Sequence, residues 1–285
     1  MKKLFYLTAF VCTVLFFSSC AKDNANENAK TRKINFNING DFVFNDLDEN
    51  TKNSIMIDGK AMTDLWVVDY TNGELGQILH QTQSDSNFGN PTMEMRYGSH
   101  NLYFIVSRGT GPSINIANNT ISWTKPSDTF WKNYQMTVSD DSSSTHSITL
   151  ERVVTRLRVI VLDTLQPGAV TASVRPSTWY YGFNFQTGAP AFMSSSVTNT
   201  INIPSDRIGT DSNSFMMYGF STTTEWYTNV YFAINNSTEP VVARTFENVE
   251  FRRNRSTDYI GYLSNFETGF SLNFIGWDTS NVVPF

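Results

Sequence analysis

Residues that could do acid–base or metal chemistry are few in this chain, and their spacing does not match any site that such chemistry needs. The three histidines, His80, His100 and His146, stand apart from one another in segments predicted to be polar turns. No His-x-x-x-His or Cys–His spacing occurs, so the sequence predicts no metal site. "GPSIN", which starts at Gly111, lacks the final glycine of a nucleophile elbow. No glycine-rich phosphate loop opens a helix, and no cofactor is predicted.

Carboxylates are the remaining route to catalysis. The chain has 26 acidic residues, most of them beside predicted turns. "DLDENTKN", which starts at Asp46, spaces acidic and amide groups like a calcium loop, but Thr51 stands where that loop needs glycine. We interpret it as a solvated turn. A carboxylate pair that hydrolyses a glycosidic bond is defined only in space, so a hydrolase stays open as a third hypothesis. The sequence nevertheless favours a protein that is not an enzyme.

Cys20 has the surroundings of a modification site rather than of a core residue. Two lysines precede an apolar run over residues 4–17, and two serines then lead to Cys20. A charged start, a short apolar segment and small residues at its end are the layout of a secretory signal. The run is too short to cross a bilayer, which takes about 20 apolar residues. We therefore predict a signal peptide over residues 1–19.

The segment that ends at Cys20 resembles a bacterial lipobox, in which a peptidase cuts before the cysteine and the thiol carries a diacylglyceryl group. Phe17 departs from this pattern, because Leu is usual three positions before the cysteine. The resemblance implies a lipoprotein with acyl chains such as palmitate on Cys20, and each buried CH₂ contributes about 0.8 kcal/mol to anchoring. Residues 20–32 are polar and are predicted to form a flexible tether. A plain signal peptide with an incidental cysteine is the alternative.

Composition predicts an all-β fold. The chain has 22 Phe and 12 Tyr, and Gly and Asn punctuate segments rich in β-branched and aromatic residues. "KINFNING" alternates apolar and polar residues over 34–38, and Asn72-Gly73 predicts the turn of a hairpin. The net charge is −5 and no basic face is present, which argues against nucleic acid as a partner.

Length and a polar stretch together predict two domains. About 265 residues follow the signal, which favours two units of ordinary size. "SDDSSSTHS" at residues 139–147 is the predicted linker. After it, Leu157 and Val159 share one face of a strand, while Arg156 and Arg158 share the other. Further strands are predicted at 170–175, 179–185, 199–203, 214–220, 227–234, 241–251, 257–263 and 268–275. We predict β-sandwiches over residues 33–145 and 146–285.

Two stretches together resemble FimA/FimB-type fimbrillins. Residues 148–161 resemble the segment that joins the two domains of that family, with a Leu-x-Arg that ends at Arg152. Residues 246–263 resemble a late segment of the family. The matching positions there are Val249, Arg253-Asn254, Thr257 and Gly261. Glu250 is a departure, since family members usually have Pro at that position.

This resemblance implies two transthyretin-like β-sandwich domains and a structural subunit of a fimbria on a Gram-negative cell. Such subunits are exported as lipoproteins to the outer membrane, and their partners are other fimbrial subunits. They polymerise when a strand of one subunit enters a groove of the next, which is a form of β-augmentation. In stalk subunits an arginine-specific protease removes the lipidated start, and here the candidate position is Arg32. The short start favours a FimB-like anchor or accessory subunit over a stalk or tip subunit.

A surface glycan-binding lipoprotein is the second hypothesis, because the chain has six tryptophans and aromatic faces stack on sugar rings. Trp66 is predicted to lie in the core. Four others have polar neighbours, and partial burial is favoured over exposure: Trp123, Trp131, Trp179 and Trp226. The arginines at 252, 253 and 255 are predicted to form a solvated turn rather than a binding patch. An exposed aromatic strip favours glycan binding, whereas a deep apolar groove favours polymerisation. The host or glycan ligand is not identified by the sequence.

Overall fold

In a computed structural model the chain folds almost entirely into β-strands. The structure describes residues 30–39, 56–57, 60–195, 197–237, 242–264 and 270–276. Within these ranges the only helical element is the 3₁₀ turn Ser205–Arg207. No helix in the same ranges has the length and apolar character that a membrane crossing needs. The prediction of an all-β fold is confirmed.

The strands are numbered in chain order. The first eleven are β1 (Thr31–Asn39), β2 (Met56–Ile57), β3 (Lys60–Ala61), β4 (Asp64–Thr71), β5 (Glu74–Thr82), β6 (Thr92–Arg96), β7 (Gly98–Ser107), β8 (Thr110–Asn115), β9 (Thr120–Lys125), β10 (Thr129–Val138) and β11 (Thr145–Thr149). The others are β12 (Glu151–Arg152), β13 (Val154–Val161), β14 (Ala169–Pro176), β15 (Trp179–Asn184), β16 (Pro190–Ser194), β17 (Asn199–Asn202), β18 (Asn213–Phe220), β19 (Trp226–Asn236), β20 (Val242–Phe251), β21 (Arg255–Gly261) and β22 (Phe270–Gly276).

The first sandwich packs the sheet β11-β1-β6 against the sheet β12-β10-β7-β4-β5. Strand β1 lies in the middle of its sheet, parallel to β11 and antiparallel to β6. The alternation predicted for this strand is present: Ile34 and Phe36 are fully buried between exposed or half-buried neighbours. The ring of Phe36 meets that of Phe104 edge-on, with centroids 5.2 Å apart.

The predicted hairpin at Asn72-Gly73 joins β4 to β5. Both turn residues have positive φ, 52° and 89°, as a type I′ hairpin turn requires. Strand β7 then returns beside β4, so this part of the sequence prediction is confirmed.

A third layer covers the other face of the five-stranded sheet. Trp66 and Val68 of β4 pack against the sheet β16-β15-β9-β8, while Leu65 and Val67 face the first sandwich. Burial on both faces explains why "LWVV" is an unbroken apolar run. Strands β8, β9 and β16 were not predicted from the sequence.

The second sandwich packs the sheet β18-β13-β21-β22 against the sheet β17-β14-β19-β20. Its core contains Leu157, Val159 and Val161 on β13, which face Val174 and Phe232 of the opposite sheet. Strand β13 runs parallel to β21 and antiparallel to β18. The aliphatic face predicted for residues 157–161 is therefore the core face, and the sandwich prediction is confirmed.

The two halves of the chain share structure. The sheet β16-β15-β9-β8 takes two strands from before the predicted boundary at residues 145 and 146 and two from after it. Strand β11 runs through that boundary and pairs with β1. The described residues from Thr31 onward belong to one unit by their contacts. The division into domains over 33–145 and 146–285 stays a prediction.

Candidate functional site

A buried aspartate, Asp128, lies where the two halves of the chain meet. Its Oδ1 accepts a hydrogen bond from Nε of Arg152 at 2.7 Å, and its Oδ2 accepts one from Nη2 of the same residue at 3.3 Å. Nη2 of Arg108 lies 3.4 Å from that Oδ2. Asp128 is fully buried, and the side chains of Arg108 and Arg152 are only 9% and 5% exposed. Charges this deeply buried are tolerated only because they are paired.

Both arginines also reach residues in or next to the second sandwich. Nη1 of Arg152 donates to Oδ1 of Asn254 at 3.4 Å, and Nη2 of Arg108 donates to the hydroxyl of Tyr218 at 3.4 Å. The guanidinium of Arg152 lies over the ring of Phe130, 4.7 Å from its centroid, in a cation–π contact. We call this set the junction cluster: Arg108, Asp128, Arg152, Tyr218 and Asn254.

The junction cluster brings together the two stretches that resemble fimbrillins. Arg152 comes from residues 148–161 and Asn254 from residues 246–263, yet they meet across 102 positions of sequence. Sequence reasoning singled out both residues without assigning them a contact. It missed Arg108 and Asp128. The only signal in the sequence was Asp128 in "KPSDTFW", directly before an apolar strand. At such a position the sequence does not distinguish an aspartate in a solvated turn from a buried one.

Arg253 ties the same region together from the turn before β21. Its Nε donates to the carbonyl oxygen of Ser221 at 3.2 Å, and its Nη2 donates to that of Gly188. Burial lowers the pKa of the Arg253 guanidinium, while the nearby charge of Glu151 raises it. The predicted turn is present at residues 253–254, but Arg253 is half-buried rather than solvated, because its side chain reaches backbone carbonyls.

The arginines that flank Arg253 are paired with acids. Arg252 and Glu225 form an exposed pair at 3.3 Å, and Nη1 of Arg255 lies 2.5 Å from Oε1 of Glu250. Glu250 is the position where the family usually has Pro. Here its carboxylate balances Arg255, so this departure from the family pattern has a structural role.

The arginine-bearing face of β13 is paired with β21 across the parallel register. Nε of Arg156 donates to the hydroxyl of Ser256 at 2.9 Å, and Nε of Arg158 donates to Oδ2 of Asp258 at 2.9 Å. Ser256 and Asp258 are fully buried. These arginines therefore cover buried polar groups of the neighbouring strand.

An open cavity of about 460 Å³ lies at the end of the second sandwich. Its lining includes apolar side chains of both sheets: Val161, Leu165, Ala169, Ile234 and Val242. Tyr262 and Val242 at its rim are 42% and 43% exposed. Oδ1 of Asp163 accepts from the backbone N–H of Ser264 at 3.3 Å and holds one wall. A cavity of this size with an apolar floor can take the side chains of a bound segment.

Arg32, the candidate processing position, lies in β1. It pairs with Met95 of β6, and its Nη1 donates to the carbonyl oxygens of Ser139, at 3.2 Å, and Asp140. The last two residues of the predicted tether, Thr31 and Arg32, are thus part of the sheet. Cleavage after Arg32 stays a prediction, and in this fold it requires part of β1 to detach.

We expect the folded protein to resist cleavage after Arg32. A protease binds several residues around the scissile bond in an extended form, which would pull the buried Ile34 and Phe36 out of the sandwich. Digestion with an arginine-specific protease, followed by N-terminal sequencing, should yield no chain that begins at Lys33 in buffer but should yield it in urea. An Asn28→Arg variant is the positive control, because it places an arginine in the predicted tether. Rapid cleavage after Arg32 in buffer would contradict this expectation.

Cys20 and the other residues before Lys30 lie outside the described residues, as does the "DLDENTKN" turn. The histidines are not in turns as predicted. His80 lies in β5, His100 in β7 and His146 in β11. In the part of the chain that the structure describes, no three His, Cys, Asp or Glu side chains are grouped to hold a metal ion.

The tryptophans do not form an exposed strip in the described structure. Trp66 is 4% exposed, which confirms its predicted place in the core. Trp123 and Trp179 are fully buried as well, at 1% and 0%, and Trp131 and Trp226 are half-buried. Trp123 stacks on Phe220 in the third layer, with centroids 5.0 Å apart.

Comparison with known proteins gives matches at the level of fold. No protein-family profile and no curated protein sequence matches the chain. A candidate adhesin from Bacteroides ovatus superposes with a TM-score of 0.52 at 10% identity, over 78% of this chain and 79% of that one. A candidate polysaccharide-binding protein from Bacteroides thetaiotaomicron gives 0.50 at 8% identity, over 86% of this chain and 96% of that one. The fimbrial anchor protein Mfa2 from Porphyromonas gingivalis gives 0.45 at 8% identity, over 87% and 98%. That last fit is too loose to argue from, and the first two show a shared fold alone.

Proposed function

We propose that this chain is a non-catalytic structural subunit of a cell-surface fimbria, held at the outer membrane as the base subunit by a lipid on Cys20. The observation that carries the proposal is the junction cluster. The two stretches that resemble fimbrillins contact each other there, through Arg152 and Asn254. A fimbrial subunit must transmit tension from one end to the other, and this cluster ties the two halves of the chain. The fold shared with a candidate adhesin supports the same function.

Strand exchange is the proposed mode of assembly, and the first sandwich offers a place for it. Strand β1 fills the gap between β6 and β11 and buries Ile34, Phe36 and Ile38 in the core. A strand from another subunit that took its place would find the same two backbone edges and the same apolar floor. In an anchor that keeps its own β1, the cavity at the end of the second sandwich is the alternative acceptor.

The test of this function is to isolate surface fibres and identify the proteins that co-purify with the chain. Mass spectrometry should then find that the fibre-associated chain begins at a modified Cys20. A fibre-borne chain that begins at Lys33 would instead assign it to the stalk or tip. A chain that never associates with fibres would overturn the fimbrial proposal.

Cys20→Ala should abolish anchoring, because the thiol is the only proposed point of lipid attachment. With no acyl chain, the apolar burial that holds the protein at the bilayer is lost. The measurement is incorporation of a fatty-acid probe together with membrane fractionation. Cys12→Ala is the matched control, since Cys12 lies within the predicted signal and its replacement should leave labelling unchanged. Label retained by Cys20→Ala would refute lipidation at this residue.

A further inference from the structure

The outward face of the sheet β17-β14-β19-β20 carries neutral polar side chains, two tyrosines and one arginine. Residues of β14 and β19 alternate, so that Val174 and Phe232 are fully buried in the core while their neighbours face solvent. The outward positions that matter are Thr171, Ser173 and Arg175 on β14 and Tyr227, Tyr231 and Asn235 on β19. We call these six residues the polar face.

The polar groups of this face are held in a fixed arrangement. Nδ2 of Asn235 donates to the hydroxyl oxygen of Thr171 at 2.9 Å and to that of Ser173 at 2.8 Å. Each hydroxyl therefore accepts a bond from the amide and keeps its own proton to donate. Side chains on one face of a strand lie about 7 Å apart, and those on adjacent strands lie about 5 Å apart. Ser173 pairs with Ala233, six positions along β19 from Tyr227, so about 20 Å separates Tyr227 from these hydroxyls and only an extended ligand can reach both.

Tyr227 supplies the apolar surface that a sugar ring needs. Tyr227 is 58% exposed. Tyr231 lies four positions along the same strand, which places the two about 13 Å apart. The guanidinium of Arg175 lies 4.8 Å from the ring centroid of Tyr231 and fixes its orientation. A tyrosine offers a rigid surface that loses little entropy on binding, and hydroxyl and amide groups beside it add hydrogen bonds.

Charge limits what this face can bind. The described partners of Thr171, Ser173 and Arg175 on the neighbouring strands are all uncharged. Near Tyr227 the charges occur in pairs of opposite sign, and Arg252 lies 3.3 Å from Glu225. Glu250, which pairs with Tyr227, is balanced by Arg255 at 2.5 Å. Nucleic acids and acidic glycans bind basic faces, and stable protein interfaces have an apolar centre. The polar face has neither feature.

We propose that the polar face binds a neutral polysaccharide, with Tyr227 stacked on a sugar ring and the hydroxyls of Thr171 and Ser173 bonded to sugar hydroxyls. Tyr227 is the exposed aromatic ring of this face, whereas Tyr231 is half-buried under the guanidinium of Arg175. This binding goes beyond the proposed fimbrial role and does not depend on it, because neither Cys20 nor strand exchange takes part.

The test is electrophoresis in native gels that contain a soluble polysaccharide. The neutral probes are yeast α-mannan, amylopectin, barley β-glucan and wheat arabinoxylan, and polygalacturonic acid is the acidic probe. At least one neutral probe should retard the protein. Tyr227→Ala should weaken that binding about tenfold or more, because it removes the stacking surface. Tyr227→Phe, which keeps the ring, should bind nearly as the parent does.

Met193→Ala is the control, since Met193 is a large side chain that is 63% exposed but lies in β16, outside the polar face. It should leave retardation unchanged. No retardation by any neutral probe, or equal retardation of the parent and Tyr227→Ala, would overturn the proposal. Retardation only by polygalacturonic acid would overturn it too. If the chain binds a neutral probe but never joins fibres, the polysaccharide proposal stands and the fimbrial proposal is overturned.

Discussion

Asp128→Ala is expected to lower the free energy of unfolding by about 3–5 kcal/mol, because it leaves Arg108 and Arg152 buried without their anion. Asp128 is fully buried, and the two arginine side chains are at most 9% exposed. They cannot regain water without opening the junction between the two halves. Urea unfolding followed by tryptophan fluorescence measures the loss. A loss under about 1 kcal/mol would show that the cluster does not hold the halves together.

Glu151→Ala is the matched control, because it removes an ion pair of the same region that is exposed. Nζ of Lys132 lies 2.6 Å from Oε1 of Glu151, but the side chains are 36% and 62% exposed. Solvent screens such a pair, so the loss should stay within about 1 kcal/mol. Arg152→Ala combined with Asp128→Ala should cost less than the sum of the two single changes, since the two groups act as one network.

Strands whose burial follows a local pattern could be predicted from the sequence. In β1, polar and apolar residues alternate because one face meets the core. In β13, Leu157 and Val159 face inward, while Arg156 and Arg158 take the opposite face. The Asn72-Gly73 turn was predictable because Asn and Gly both tolerate the positive φ that a type I′ hairpin turn needs at its two central positions. In each case the information lies within a few residues of the chain.

The third layer could not be predicted in this way. Trp123 and Trp179 have Ser and Thr neighbours, which suggest a half-exposed surface, yet both are fully buried. Trp123 is buried against Phe183 and Phe220 in the third layer. Trp179 is buried in the core of the second sandwich, against Trp226 and Phe251. Sheet pairing between β9 and β15 places Gly182 beside Ser122. A Cβ at Gly182 would lie 2.4 Å from the carbonyl oxygen of Ile121, so glycine permits this close approach. Such contacts join residues about 60 positions apart, which no local pattern reveals.

His100 shows how a polar context in the sequence conceals a buried polar contact. Its neighbours Ser99 and Asn101 predicted a turn, but its side chain is fully buried in β7. Nδ1 lies 2.8 Å from Oδ1 of Asp69, and Nε2 lies 2.7 Å from the carbonyl oxygen of Arg96. Both ring nitrogens thus contact oxygen atoms, and the imidazole is the partner of a carboxylate whose side chain is only 2% exposed.

His100→Gln is therefore expected to lower the free energy of unfolding by about 2–3 kcal/mol, because glutamine cannot reach both oxygen atoms as the ring does and leaves a buried polar partner without its hydrogen bond. His80→Gln is the matched control, since His80 lies 2.9 Å from Asp64 but has a side chain that is 42% exposed. That change should cost no more than about 1 kcal/mol. Urea unfolding of the two variants in parallel makes the comparison. Equal losses would show that burial does not set the strength of the Asp69 pair. A larger loss for His100→Gln assigns the difference to burial, since the replacement and the kind of partner are the same in both.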